Sequence, residues 1–469
     1  MSELQTDYLI IGAGAMGMAF ADTLLSETDA RMMIVDRHAK PGGHWNRAYP
    51  FVRLHQPASF YGVSSRELSQ GTKDEVGLNK GLMDLSSGAE VSAYFDDVMQ
   101  QRFLPSGRVD YYPMCDYEGL SDGQAIFTSR LSGAQSRVTY KKLVDATLLT
   151  AQIPAEHEPS FKIADGVNFM PPNGLTTLQE KPDAYVIIGG GKTAVDSCLF
   201  LLENGTPQDA IHWIVPRDPW MLMRENTQPL PEFFDRVFGT QADYMQAMAE
   251  AENVEDMFDR LETCGYVSRI DRTIRPQMFH AATISEPELE RIRTLKNIIR
   301  LGHVVALERD RIVLTDGEIE TSTRNLHIDC SAGLARGMKD WVAPKVFDGD
   351  MIRPVTVRAY MPVFSGSLIA YLEAHYADEG EKNRLAQPVH LPNTLDDFVV
   401  MTLGAMMNQY QWSQDKSLRN WIAANRLDGF MKLLADIDPQ DKTKKAILAR
   451  ISENAPKAVG NLMKLAGLA

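Results

Sequence analysis

The chain has 469 residues, of which 44% are hydrophobic and 23% charged, a composition typical of a folded protein with two or three domains. Its 62 acidic residues outnumber the 48 basic ones, and the net charge of −14 opposes binding to nucleic acids and to anionic membrane surfaces. The four cysteines form no CxxC pair and no metal-ligand pattern, which indicates no metal site, no disulfide reductase chemistry and a cytoplasmic location.

The first predicted unit is a β-strand, a glycine-rich turn, a helix and a second strand over residues 7–36. This order is typical of a βαβ unit that begins a parallel sheet. Its opening apolar run, Tyr8 to Gly14, is too short for a membrane span and lacks the basic region of a signal peptide. We therefore expect no membrane-spanning segment.

This unit carries the GxGxxG motif as Gly12, Gly14 and Gly17. The first glycine permits a tight turn, the second lets the backbone approach a pyrophosphate, and the third lets helix and strand pack closely. Asp36 ends the second strand, where a carboxylate can accept hydrogen bonds from the ribose hydroxyls of an adenosine. A plain NAD site does not need the second glycine turn at residues 41–45, so the sequence predicts FAD here. The predicted FAD-binding residues are Gly12, Gly14, Gly17, Asp36, Arg37, Gly43, His44 and Trp45.

The same pattern of strand, glycine turn and helix returns near residue 185, which predicts a second dinucleotide-binding unit. Its second strand ends in Arg217, where the first unit has an acidic residue. A guanidinium can pair bidentately with the 2′-phosphate of NADP, so Arg217 favours NADPH over NADH. The alternative for this arginine is a surface ion pair with Asp218 or another nearby acidic residue. The predicted NADPH-binding residues are Gly189, Gly191, Lys192, Thr193, Ala194 and Arg217.

The segments between and after these units set the predicted organisation. Prolines punctuate a hinge at about residues 150–180, and residues 225–295 have the composition of a helical insertion. The apolar strand in LHIDCSAGLAR is similar to the earlier LVDAT, which predicts that the chain returns to the first domain there. From Pro392 onward the pattern is helical, typical of a packed cap and compatible with a homodimer interface.

We therefore predict an α/β fold with two Rossmann-like dinucleotide-binding domains and a helical C-terminal region. The FAD domain is expected to be discontinuous, with the NADPH domain inserted into it. The predicted boundaries are 1–165 and 325–395 for the FAD domain, 166–324 for the NADPH domain, and 396–469 for the cap.

Two fingerprints in this order, with GGHW after the first and VPRDPW after the second, resemble the flavoprotein monooxygenases with two dinucleotide-binding domains, the flavin-containing and Baeyer–Villiger types. The resemblance covers most of residues 5–385 and is most specific over residues 42–61. Segments 144–147 and 329–333 are similar to the two ATG segments of that family, although the first lacks the glycine and the second the threonine. The resemblance implies that the flavin is lined by Trp45, Tyr49, Pro50, Arg53 and Tyr61.

The chain also departs from the Baeyer–Villiger pattern. His55 stands where that type has an aspartate, and the linker fingerprint of that type is absent between Phe161 and Leu178. We therefore expect a divergent branch of the family.

The resemblance implies a chemistry in which NADPH reduces the flavin, O₂ adds at its C4a carbon, and the resulting peroxyflavin oxygenates a small organic substrate. A cation near the peroxide would stabilise it, for which Arg53 and Arg275 are candidates. His55 is a candidate acid or base near neutral pH.

Two other functions stay open at this point. The first is an NADPH-dependent reductase, dehydrogenase or oxidase without oxygen insertion, which the missing linker fingerprint favours. The second is a flavin-binding scaffold with vestigial redox activity. The intact second motif with Arg217 argues against the scaffold.

Overall fold

The protein has two main sheets whose strands are mostly parallel, and each contains the strand that directly precedes one of the glycine motifs. The computed structural model describes residues 2–149, 153–331 and 342–468, without the side chain of Lys432. The first sheet has six strands, in the spatial order Phe347–Asp348, Met351–Ile352, Lys142–Asp145, Tyr8–Ile11, Met32–Val35 and Val109–Tyr112. The second has five, in the order Phe169–Met170, Leu326–Asp329, Tyr185–Ile188, Ile211–Ile214 and Ile298–Ile299.

The first sheet is discontinuous in sequence. Met351–Ile352 pairs in parallel with Leu143 and Val144, so the chain rejoins this sheet after completing the second one. Leu326–Asp329 pairs with Tyr185–Ile188 of the second sheet, which differs from the expectation that the chain has already returned at residue 325. Both ATG-like strands run beside a glycine-motif strand in the same way, so the local pattern does not show which sheet each joins. Ala332 and Gly333 of the second ATG-like segment lie outside the described residues.

Smaller sheets flank these two. One consists of Ser2–Gln5, Gln135–Thr139, Gln124–Ser129 and Cys115–Ser121. Another consists of Lys162–Ile163, Val304–Leu307, Arg311–Leu314 and Gly317–Glu320. A third consists of Val267–Arg269, Trp220–Met223 and Thr283–Ile284, and a two-stranded ribbon of Gly62–Val63 and Arg66–Glu67.

The helices fall into three groups. Those of the first unit are Ala15–Glu27, Gly88–Val98, Pro362–His375 and Glu379–Leu385. Those of the second unit and its insertion are Lys192–Glu203, Phe234–Glu250, Val254–Thr263 and Glu286–Ile292. Those of the C-terminal region are Leu395–Gln414, Lys416–Ala424, Met431–Ala435 and Lys442–Leu465.

Burial explains the apolar runs of the central strands and of the first helix. Tyr8–Ile11 and Met32–Val35 lie in the middle of the sheet, so both of their faces are covered and their sequences are continuously apolar. The helix Ala15–Glu27 packs against Pro362–His375, and a Cβ at Gly366 would lie 2.7 Å from the carbonyl oxygen of Met16. Gly366 therefore sets the close approach of these two helices.

The C-terminal helices cover both units. Trp412 and Leu418 join the core of the first unit, while Val399 and Leu462 join the core of the insertion. The predicted α/β class, with two Rossmann-like units and a helical C-terminal region, is confirmed. In the described parts of the chain, no helix combines the length and apolar character that a membrane crossing requires.

Candidate active site

Both glycine turns line a single cavity of about 1110 Å³. Gly12 and Gly14 form part of its wall on the side of the first sheet, and residues 189–193 form part on the side of the second. The pocket of a drug-sized ligand measures about 300–1,000 Å³, so this cavity has room for more than one small molecule. The structure thus brings the two predicted nucleotide sites together.

In the first turn, two of the three motif glycines are required by the chain itself. Gly12 has a φ of +100°, and a Cβ at Gly17 would clash with the carbonyl oxygen of Gly12. Gly14 differs, because its φ is −72° and a Cβ there would meet only the Cα of Gly43, at 3.8 Å. Contacts within the chain therefore leave Gly14 unexplained, whereas close approach of a pyrophosphate explains it.

Asp36 stabilises the first glycine turn through a hydrogen bond to its backbone. It is 5% exposed, and its carboxylate accepts hydrogen bonds from the backbone N–H of Ala13, at 2.6 Å, and of His38, at 2.7 Å. Both oxygens keep further lone pairs, so Asp36 can still accept from ribose hydroxyls at the cavity wall. The neighbouring Arg37 also lines the cavity, but its side chain is 68% exposed and lies 3.4 Å from Asp116.

The second glycine turn touches the first. A Cβ at Gly43 would lie 3.0 Å from the Cα of Gly14, so the two turns are in backbone contact. His44 and Tyr61 line the cavity, and burial lowers the pKa of His44 to about 4. Trp45 is not part of the cavity wall; its indole N–H donates to the Tyr61 hydroxyl at 2.7 Å. Trp45 therefore orients Tyr61, which lines the cavity, without lining the cavity itself.

The turn of the second motif repeats the logic of the first. Gly189 has a φ of +132°, and a Cβ there would lie 3.0 Å from the carbonyl oxygen of Cys330. Ala194, at the third position, is fully buried against the sheet. Gly191 has a φ of −91°, and a Cβ there would meet no atom within 4 Å. Like Gly14, Gly191 lies on the cavity wall, and the open space beside it fits a second pyrophosphate.

Lys192 and Thr193 follow at the start of helix Lys192–Glu203, and both line the cavity. The Lys192 ammonium is already paired with the carboxylate of Asp196 one helical turn later. The other oxygen of Asp196 accepts from the hydroxyl of Tyr49 at 2.7 Å. Lys192 is therefore neutralised within the chain, and sequence reasoning missed its partner Asp196, although the spacing of four residues on a helix is a signal for such a pair.

Arg217 lies on the cavity wall, with its guanidinium donating to the side-chain oxygen of Asn393 at 2.9 Å. The imidazole of His280 shares this oxygen at 2.8 Å. Asp218 is paired with Arg300, so the surface ion pair considered for Arg217 does not form. The positive charge of Arg217 is available to an anion entering the cavity. Sequence reasoning missed Asn393, for which no local signal exists.

The three candidate catalytic residues are not placed together. His55 lines the main cavity, where burial and the nearby Lys192 ammonium lower its pKa to about 4. Arg53 is 54% exposed and lines a separate cavity of about 250 Å³, with its guanidinium 3.6 Å from Asp74. Arg275 is 40% exposed outside both cavities and is bonded to Asp259 at 3.0 Å. Of the three, His55 alone reaches the main cavity.

Residues 10–61 match the family model of the NAD(P)-binding Rossmann-like domain. A protein of Mycobacterium tuberculosis (strain ATCC 25618 / H37Rv) and one of Mycobacterium bovis, both named only as uncharacterized, are each 41% identical to this chain over 463 residues. The alignments span 98% of this chain and 84% of each relative.

Solved structures with a similar fold include Tmm from Pelagibacter sp. strain HTCC7211, with a TM-score of 0.50 and 10% identity over 96% of this chain and 90% of that one. A mutant flavin monooxygenase from Stenotrophomonas maltophilia has a TM-score of 0.48 and 14% identity over 81% of this chain and 98% of that one. A steroid monooxygenase bound to NADP has a TM-score of 0.46 and 14% identity over 80% of this chain and 87% of that one.

The resemblance to flavoproteins with two dinucleotide-binding domains, predicted from the sequence, is confirmed as a shared fold. FAD and NADPH agree with this fold, with the matched family model and with the two open glycine turns. The structure shows one cavity lined by the glycine turns of both Rossmann-like units.

Proposed function

This chain belongs to the same protein family as the two mycobacterial proteins, and we propose that it is a monooxygenase that uses FAD, NADPH and O₂ to oxygenate a small organic substrate. The balance is one NADPH, one O₂, one proton and the substrate giving NADP⁺, water and the oxygenated product.

One observation carries the proposal. Gly14 and Gly191, the second glycines of the two motifs, have ordinary φ angles and no close neighbour that requires glycine, and both face the same cavity. A pyrophosphate could come close to the backbone at each of these glycines. Since both lie on one cavity, this supports two dinucleotides that exchange electrons directly. A scaffold that holds flavin alone has no need of Gly191.

The residues present divide the binding tasks between the two cofactors. On the FAD side, Asp36 accepts from the ribose and the helix that begins after Gly14 turns its N-terminal N–H groups toward the phosphates. On the NADPH side, the helix that begins after Gly191 does the same, and Arg217 pairs with the 2′-phosphate. When bound, NADPH would supply a hydride and FAD would carry its two electrons to O₂.

Neutral imidazoles complete the cavity wall. The lowered pKa values of His44 and His55, each about 4, keep both side chains uncharged near neutral pH. A neutral imidazole donates through one ring nitrogen and accepts through the other, so His55 can hold or take up a proton without adding a fixed charge. Because a neutral imidazole is a far weaker acid than an imidazolium, His55 would not deliver a proton early to reduced oxygen at this wall.

A reductase or oxidase without oxygen insertion is the second candidate. It is favoured by the positions of Arg53 and Arg275, since neither supplies a cation to the main cavity. Lys192 lines that cavity but is paired with Asp196.

The proposed partners are small molecules, and the proposed location is the cytoplasm. All four cysteines are free, and two of them, Cys198 and Cys330, belong to the buried core of the second unit. Free thiols persist in a reducing compartment.

The test is a single-turnover experiment. The protein is reduced with NADPH without O₂, mixed with heavy-isotope O₂ and a panel of ketones, sulfides and amines, and the products are examined by mass spectrometry. We expect one heavy oxygen atom in an organic product for each NADPH consumed. Release of all the oxygen as hydrogen peroxide with every substrate would overturn oxygenation and favour the oxidase.

A further inference from the structure

Residues 47–86 follow the second glycine turn of the first unit; Leu54 and Ala58 join the core of that unit, whereas Phe51 and Leu78 pack on the second unit. The Phe51 ring stacks on Phe200 with centroids 4.3 Å apart, and the Tyr49 hydroxyl donates to Asp196 at 2.7 Å. Phe200 and Asp196 both belong to the helix that follows the second motif. This docked segment carries His55 to the main cavity.

Arg224 is the centre of this contact. It is 1% exposed, and each of its guanidinium nitrogens has a different partner. Nε donates to the carbonyl oxygen of His55 at 3.0 Å, Nη1 donates to the side-chain oxygen of Asn79 at 3.1 Å, and Nη2 lies 2.8 Å from the carboxylate of Glu288. One buried side chain thus joins two points of the docked segment to a helix of the second unit.

Two more buried bonds run beside it. The Ser285 hydroxyl, which is fully buried, donates to the carbonyl oxygen of Leu78 at 2.8 Å. The fully buried Gln228 accepts from the backbone N–H of Met83 at 2.8 Å. If the segment left the second unit, both of these buried hydrogen bonds would be lost, and losing a buried hydrogen bond costs stability.

The ion pair within this contact is permanent near neutral pH. Burial raises the pKa of Glu288, but the Lys192 and Arg224 cations outweigh burial and hold that pKa at about 2. Removing one member of a buried ion pair leaves the other charge uncompensated, so the loss of either charge alone would destabilise the fold.

We propose that Arg224 is a positioning residue that fixes His55 at the reaction cavity and holds the two nucleotide-binding units in one arrangement during turnover. This inference rests on the function proposed above. Arg224 does not line the main cavity itself but donates to the backbone of His55, which does, so it acts through that residue.

The charged groups that face His55 are Lys192, Asp196, Arg224 and Glu288. Together they carry two positive and two negative charges, so burial dominates and lowers the pKa of His55. If Arg224 no longer holds its carbonyl, the half-buried His55 becomes more exposed to water and its pKa rises toward the ordinary value.

The test compares the double variant Arg224→Met/Glu288→Gln, which removes both charges of the pair, with Lys382→Met/Glu373→Gln. The latter removes another buried ion pair, 2.7 Å long, in which the two side chains are 8% and 5% exposed and which lies outside both cavities. The imidazole of His55 is titrated by NMR, with His55→Gln identifying its signal, and flavin reduction by NADPH is timed in the absence of O₂.

We expect the Arg224 double variant to raise the titration midpoint of His55 and to slow flavin reduction at saturating NADPH by about tenfold to a hundredfold, as for a misplaced group. The Lys382 double variant lowers the melting temperature but leaves both readouts unchanged. An unchanged titration of His55 in the folded Arg224 double variant would overturn the inference. If that variant fails to fold, Arg224→Lys serves in its place, and an unchanged titration there is equally decisive.

The two proposals fail separately. If NADPH does not reduce the wild-type flavin, the proposed function is wrong. The titration of His55 then still shows whether Arg224 positions it.

Discussion

The guanidinium of Arg217 donates to the side-chain oxygen of Asn393, 2.9 Å away, on the wall of the cavity shared by the two glycine turns. Among the described residues no carboxylate pairs with this arginine, because Asp218 is taken by Arg300. A neutral amide holds the guanidinium in place without cancelling its charge. The guanidinium of Arg217 is therefore held in position and keeps its positive charge uncompensated, as binding of an anionic phosphate requires.

Replacing this arginine tests the cofactor preference. We expect Arg217→Gln to raise the dissociation constant of NADPH by about ten- to a hundredfold, since a hydrogen bond to a charged group is worth about 1.5–3 kcal/mol. The affinity for NADH should stay the same, because NADH lacks the 2′-phosphate. Flavin reduction kinetics with both nucleotides measure the effect, with Arg309→Gln as a control on an exposed arginine. Equal weakening of NADPH and NADH would show that Arg217 does not contact the phosphate.

The two open glycines provide a matched pair of variants. Gly191→Ala should change the free energy of unfolding by less than about 1 kcal/mol, since its Cβ meets nothing within 4 Å and the cost is that of a helix cap. It should raise the dissociation constant of NADP⁺ by about tenfold or more, equivalent to about 1.4 kcal/mol. Gly14→Ala should instead weaken FAD binding and spare NADP⁺. Fluorescence titrations measure both, and loss of the same nucleotide in both variants would contradict the assignment.

The placement of the candidate catalytic residues leads to opposite expectations for two variants. Arg275→Gln should leave the rate of flavin reduction within about twofold of wild type, because a surface ion pair contributes about 0–1 kcal/mol and lies outside the cavity. His55→Gln should slow product formation by about tenfold or more, because it removes a proton-holding group from the cavity wall. A strong loss in Arg275→Gln would mean that this arginine moves into the cavity during turnover.

Two half-buried histidines of the cavity wall predict how stability depends on pH. The pKa values of His44 and His55 fall from the ordinary 6.5 to about 4 on folding, so between these pH values the unfolded chain binds more protons. Their contribution is therefore complete above about pH 6.5 and is lost as the pH falls toward 4. Urea unfolding across this range should show a steeper decline for wild type than for His44→Gln/His55→Gln. Identical slopes would show that these histidines are not neutral in the folded protein.

The sequence sufficed to propose the glycines of both motifs, Asp36 and Arg217 as cofactor-binding residues, because each proposal depends on a few adjacent residues and on the strand and helix around them. Asn393 was not predictable, since it meets Arg217 across 176 residues of sequence. The contact of Arg224 with His55 was unpredictable for the same reason, because the two residues are 169 positions apart.

The strand Leu326–Asp329 shows a different limit of sequence reasoning. Its apolar pattern correctly predicts a buried strand, but two sheets offer the same environment. The hydrogen-bond register that assigns it to the second sheet depends on the whole fold.

The most direct test of the shared cavity is anaerobic reduction of the protein-bound flavin. The purified protein, loaded with FAD, is titrated with NADPH and separately with NADH while the flavin absorbance is recorded. We expect complete bleaching with one NADPH per FAD, and much slower bleaching with NADH. Flavin that stays oxidised in excess NADPH would contradict the claim that the two glycine turns bring two dinucleotides together for electron transfer.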